Sequence, residues 1–156
     1  MGCDIHIAVQ KKTDNGYVTV RAEGIWWEPS MPQEDRYTIE VIDQDRDYAL
    51  FGILSGVRNH RMPRMGAAVS GLPDDVGADI QEEAEADDYH SHTWLEVADL
   101  ERVHADPIFD YEKEWKGKIN KYTPLKDFYK VVKESLDHLL PGVPAEDIRI
   151  IVYYDS

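Results

Sequence analysis

Ile148-Arg149-Ile150-Ile151-Val152-Tyr153-Tyr154 is the stretch from which the fold is read. Side chains of a strand alternate between faces, so Ile148, Ile150, Val152 and Tyr154 form one row and Arg149, Ile151 and Tyr153 the other. Both rows are largely apolar. A strand apolar on both sides is covered on both sides, which places this one at the centre of a sheet. The segment before it is helical: Phe128, Val131, Val132, Leu136, Leu139 and Leu140 recur at helical spacing, and Pro141-Gly142 ends the run. Thr123 as N-cap and Pro124 at the first helical position mark its start.

At the other end of the chain, residues 3–10 also alternate. Cys3, Ile5, Ile7 and Val9 form an apolar side; Asp4, His6, Ala8 and Gln10 form the other. Asp14-Asn15-Gly16 is a turn signal and Tyr17-Val18-Thr19-Val20 continues as a second strand, so an N-terminal hairpin is expected. Residues 37–42 suggest a third strand after a loop over 24–37. A buried helix is expected over 46–57, capped by Asp45 or Asp47 and ending near Gly56. Residues 59–73 read as a long loop, of a length that often carries function. A helix from Asp74 or Asp75 to about Asp88 follows, then an extended segment to Leu95, a short helix over 96–103 and an irregular stretch over 104–123. The order is that of a single α+β domain over 1–156, mainly antiparallel, with three to four helices packed on the sheet.

The chain has 156 residues and a formal net charge of −14. Nucleic-acid binding relies on basic residues that neutralise phosphates, so nucleic acid is not an expected ligand. Cys3 is the only cysteine, which rules out an intramolecular disulfide and fits a reducing cytoplasm. No apolar run approaches the ~20 residues that span a bilayer. A secretory signal is not expected, and His6 stands where myristoylation needs Ser or Thr.

Asp4-x-His6 and His90-x-His92 are the best clues to chemistry. On extended backbone each pair projects to one face, and together they would offer a carboxylate and three imidazoles. Such donors suit zinc or manganese. The commoner reading of either pair alone is a solvated strand face or polar loop, and neither has the spacing of an established zinc signature. Arg58-Asn59-His60-Arg61, followed by Arg64, is a basic cluster that would clamp an anion or simply pair with surplus acids. The run 74–88 holds eight acids and no base, the composition of a solvated face. Cys3 faces away from His6 and reads as a buried small hydrophobe. His104 and His138 read as surface residues.

Four segments carry a resemblance: Gly2-Cys3-Asp4-Ile5-His6; Arg46 to Leu54 with Gly56-Val57-Arg58; Gly71-Leu72-Pro73-Asp74-Asp75-Val76; and His90-Ser91-His92-Thr93-Trp94-Leu95. The chain resembles a family of small, largely uncharacterised proteins encoded by tailed bacteriophages and prophages. The resemblance implies a phage origin, expression in the bacterial cytoplasm, and that Asp4, His6, Arg58, His90 and His92 belong to recognisable motifs. It implies no particular activity.

The expected function is a metal-dependent enzyme, a hydrolase of a small phosphate-bearing or nucleotide-like molecule. Asp4, His6, His90 and His92 would hold the metal, with Asp4, His6 and His90 at the chemistry, and Arg58 and Arg61 would neutralise the anion. The alternatives are a module that binds a small anionic molecule without turnover, and an acidic protein that binds and inhibits a host protein.

Overall fold

A computed structural model describes residues 2–58, 61–86 and 88–156. Asn59 and His60, from the arginine-rich segment, and Asp87, from the acidic run, lie outside the described residues. The strands are β1 (Asp4–Thr13), β2 (Gly16–Thr19), β3 (Ala22–Glu23), β4 (Tyr37–Thr38), β5 (Val69–Ser70), β6 (Tyr89–Glu96), β7 (Tyr111–Trp115), β8 (Lys118–Tyr122) and β9 (Ile148–Asp155). The helices are α1 (Tyr48–Ser55), α2 (Ala78–Ala84), α3 (Val97–Val103) and α4 (Pro124–Leu139).

The main sheet runs β2-β1-β9-β6-β5, antiparallel at every pairing. The central place falls to β9, the strand with two apolar rows, and all its residues but Asp155 are buried. The fold is α+β, with four helices.

The two rows of β9 divide the interior. Ile148, Ile150, Val152 and Tyr154 join Ile5, Ile7 and Val9 of β1 and pack under α1, α3 and α4 in the larger cluster. The stripe Leu125, Phe128, Val132 and Leu136 of α4 supplies the cover. On the opposite face Ile151 and Tyr153 meet Ala8, Ile39 and the buried side of α2, Ile80 and Ala84. Arg149 shares that face, buried at 3% exposure. Its guanidinium donates to Gln10 Oε1 and Asp75 Oδ1, both at 2.9 Å, and lies 3.6 Å from the Tyr17 ring centroid.

Helix α1 follows the expected punctuation. The Asp47 carboxylate accepts from Leu50 N–H, and Gly56, at φ 70°, ends the helix in a left-handed cap that disfavours side chains. Thr123 occupies the N-cap position of α4, but its hydroxyl donates to the Asp127 carboxylate and caps no backbone N–H.

Three expectations are corrected. The helix expected from Asp74 or Asp75 to about Asp88 spans only Ala78–Ala84: Gly77 before it has φ 89°, outside helical space, and Asp75 pairs with Arg149. The third strand is only Tyr37–Thr38 and pairs with β3 in a separate ribbon, while Glu40 makes a lone bridge to Ala8. The stretch expected to be irregular, 104–123, contains the β7–β8 hairpin. Its turn, Lys116-Gly117, has positive φ at both residues, the geometry that closes two-residue hairpins. Among the described residues, no helix is long and apolar enough to cross a membrane.

Candidate functional site

Strand alternation puts Asp4 and His6 on one face of β1, as expected, but their partners differ. His6 lies opposite Tyr153 in the β1–β9 register and stacks on it, ring centroids 5.5 Å apart and planes within 13°. Asp155, at the end of β9, reaches back so that its Oδ2 is 2.8 Å from His6 Nε2. Glu40 comes from the segment after β4, which lies along the edge of β1 that β2 leaves free. Its Oε2 is 3.1 Å from His6 Nδ1. Tyr89 meets the imidazole edge-on at 4.9 Å, and the Tyr153 hydroxyl donates to Glu40 Oε1 at 3.5 Å.

His6, with its side chain 18% exposed, is thus a cation in an aromatic box closed by two carboxylates. The Glu40 hydrogen bond lifts its pKa to about 9. Burial opposes the rise and Asp155 adds to it. Both ring nitrogens donate in this state, so His6 is neither a free base nor an open metal ligand. Burial, with the nearby Glu40 charge, also pushes the Tyr153 hydroxyl far up.

Asp4 faces Arg46, which donates from Nε at 2.6 Å and from Nη2 at 3.2 Å. These hydrogen bonds hold the Asp4 carboxyl below its usual range. A Cβ on Gly2 would fall 2.0 Å from Arg46 Nη1, so the bare glycine lets the guanidinium close over the chain. The Cys3 N–H donates to the Tyr48 hydroxyl at 3.2 Å, and the Cys3 side chain is buried as expected. The Gly-Cys-Asp and Arg-Asp-Tyr motifs therefore form one clamp between the start of β1 and the start of α1.

The second histidine pair is split. Ser91 has φ 56°, and the β6–β9 register shifts between His90 and Thr93. Ser91 and His92 together span the place of Tyr153, a bulge with one extra residue. The expectation that His90 and His92 share a face fails for this reason. His90 lies 6.2 Å from the Tyr154 ring on the α1 side and bonds Ser156 Oγ at 2.7 Å. His92 lies on the α2 side, where its Nε2 donates to the Ala84 carbonyl.

Asp4, His6, His90 and His92 are therefore not gathered around one point. Among the described residues, no three or more His, Cys, Asp or Glu side chains form a group able to hold a metal ion. Even His6, Glu40 and Asp155 do not converge, because the carboxylates bracket opposite edges of the ring. Among the described residues, the donor set expected for zinc or manganese is not assembled in this arrangement. The arginine clamp is also elsewhere: the Arg58 guanidinium lies 4.9 Å over the Tyr48 ring, and Arg64 Nη2 donates to the Leu54 carbonyl at the end of α1.

A groove of about 720 Å³ opens beside His6, between the start of β1 and the segment 22–46; neither Arg58 nor Arg61 lines it. Its acids are Asp4, Glu23, Asp35, Glu40, Asp43 and Asp45. Asp4, Glu23 and Glu40 are engaged by Arg46, Arg36 and His6. Among the described residues, Asp35, Asp43 and Asp45 carry no ion pair. Gln44 Oε1 is buried in the wall without a hydrogen-bond partner. The edge exposes Trp26 at 81% and Ile25 at 85%, while Trp27 is anchored by its N–H to the Pro32 carbonyl and by Arg36 stacked 4.9 Å above its ring.

Sequence reasoning left this groove as a loop. The available signal was two adjacent tryptophans in a proline-punctuated, acid-rich segment. Nothing local marked Glu40 or Asp155 as partners of His6. The chain matches no known family model, no curated protein and no solved structure.

Proposed function

We propose that the chain is a binding protein whose acidic groove takes a positively charged segment of a partner protein. The observation that carries this reading is the set of unpaired carboxylates, Asp35, Asp43 and Asp45, in one groove with the exposed Trp26 ring. Carboxylates select Lys and Arg by charge, and an indole face adds a cation–π contact worth about 0.5–2 kcal/mol. The net charge of −14 steers such a partner toward the surface. An anionic small molecule would face the wrong sign of charge there. The resemblance to phage proteins points to a host protein as the source of the segment.

The test is a titration with two labelled peptides, one of lysines with a single tryptophan and one of glutamates with a single tryptophan. The basic peptide is expected to bind with strong salt dependence, to weaken at least tenfold in D43K/D45K, and to ignore H90A/H92A. Equal binding of both peptides, or indifference to D43K/D45K, overturns the reading.

A metal-dependent hydrolase is the second reading, favoured by one imidazole and two carboxylates meeting at His6. It requires His6 to lose its proton and the carboxylates to swing to one side of the ring. Stoichiometric zinc or manganese in protein purified without a histidine tag, and its loss in H6A, would put this reading first.

A further inference from the structure

Exposed large apolar side chains concentrate in two segments, residues 25–37 beside the groove and 108–122 around the β7–β8 hairpin. The two segments have opposite charge character. Residues 22–46 carry seven acids and two arginines, whereas residues 111–122 carry four lysines and two glutamates in an otherwise acidic chain. Every hairpin residue beyond Tyr111 is exposed, so β7 and β8 form an arm. Strand alternation and register place Lys113, Trp115, Lys118 and Asn120 on one face of it. Trp115 is 65% exposed. Among the described residues, the Lys113 and Lys118 side chains make no hydrogen bond or ion pair.

Each surface lacks what the other presents. The groove has carboxylates without cations and an indole edge; the arm has ammonium groups without anions and an indole of its own. The arm does not fill the groove of its own chain, since Trp26 and Trp115 both stand in solvent. Its root is stacked Tyr111 and Tyr122, ring centroids 4.8 Å apart. The root lies close enough to Asp47 that this carboxylate, after burial, raises the Tyr111 phenol. Asp47 adjoins Arg46, which lines the groove, so the root of the arm lies near the groove.

We propose that two copies of this chain pair by exchanging arms, each laying the Lys113–Trp115–Lys118 face of its hairpin in the acidic groove of the other. Neighbouring, complementary surfaces allow a two-fold contact that closes on itself, the commonest form of homo-oligomer. This inference rests on the groove being a docking site for a basic segment, and it names the resident segment. A partner protein has then to displace the arm.

The experiment is sedimentation equilibrium of the full chain, in about 0.05 M and about 0.5 M salt, where screening lengths differ severalfold. The expected result is the mass of two chains at low salt and of one at high salt. K113E/K118E alone and D43K/D45K alone are each expected to be monomeric. An equimolar mixture of the two variants is expected to restore the pair, because each arm then meets a groove of opposite sign. A wild-type monomer at both salts overturns the exchange. So does a dimer that survives both variants, or a monomer whose arm binds a single-stranded oligonucleotide. The basic-peptide titration separates the two readings: a monomer that still binds the peptide in the groove sinks the exchange alone, and loss of both sinks the groove with it.

Discussion

The two faces of the central sheet are built from the same strands by different rules. The face under α1, α3 and α4 is nearly all aliphatic and aromatic, and its few polar atoms are closed off in pairs. Thr93 donates to Ser55 Oγ at 2.8 Å, and Ser55 is 2.7 Å from the Tyr154 hydroxyl. The face toward α2 and the groove buries Arg149, Gln10 and Tyr153, and half-buries His6, among fewer apolar neighbours. The first face takes its stability from packing, which is insensitive to pH. The second depends on charge and hydrogen bonding, and that is where the accessible chemistry lies.

The contrast breaks most visibly on the packed face. Phe51 is fully buried and meets Tyr154 edge-on at 5.1 Å. Phe51→Ala is expected to cost about 3–5 kcal/mol in denaturant unfolding, with little change in the pH dependence of stability.

On the polar face, Arg149→Met keeps much of the stem but strands Gln10 Oε1 and loses the Tyr17 stack. A cost of about 2 kcal/mol is expected. Asp75→Ala should cost less than half as much, because Asp75 is 65% exposed and water replaces its partner. If both variants cost the same, the ion pair matters more than the burial.

The pH profile gives the sharpest test. The pKa of His6 is raised from 6.5 to about 9 on folding. A raised histidine stabilises fully below its unfolded pKa, and that stability is lost as pH rises through the folded pKa. Stability should therefore fall between about pH 6.5 and 9, by something on the order of 2 kcal/mol after allowance for the partly exposed carboxylates. His6→Gln should flatten this slope, while His90→Gln should leave it. An equal slope in His6→Gln would show that another group titrates there.

Much of the fold was legible because it is written in short periods. The two apolar rows of 148–154 placed β9 at the centre, Asp47 and Gly56 bounded α1, and the 128–140 stripe marked α4. The β7–β8 arm was missed because Lys113, Lys118 and Asn120 interrupt the aromatic row of Tyr111, Trp115 and Tyr122, and Glu112, Glu114 and Lys121 dominate the other face, so no clean apolar row stands out. Of the candidate site, Asp4 and His6 did share a face. Their motif company proved to be structural in part: Gly2, Arg46 and Tyr48 clamp the chain start, and Asp75 anchors Arg149. The His90-x-His92 inference failed on one backbone angle, the positive φ of Ser91, which turns a period of two into a bulge.

By itself, the sequence determined the α+β class, the central strand and the strongly acidic surface, because alternation, helical spacing and net charge are local or additive properties. Only the tertiary structure decided what His6 is. Its two carboxylates come from distant parts of the chain, and both are brought there by strand register, which no local pattern records. Register likewise opened the groove beside it, and strand pairing raised an arm of opposite charge on the same molecule.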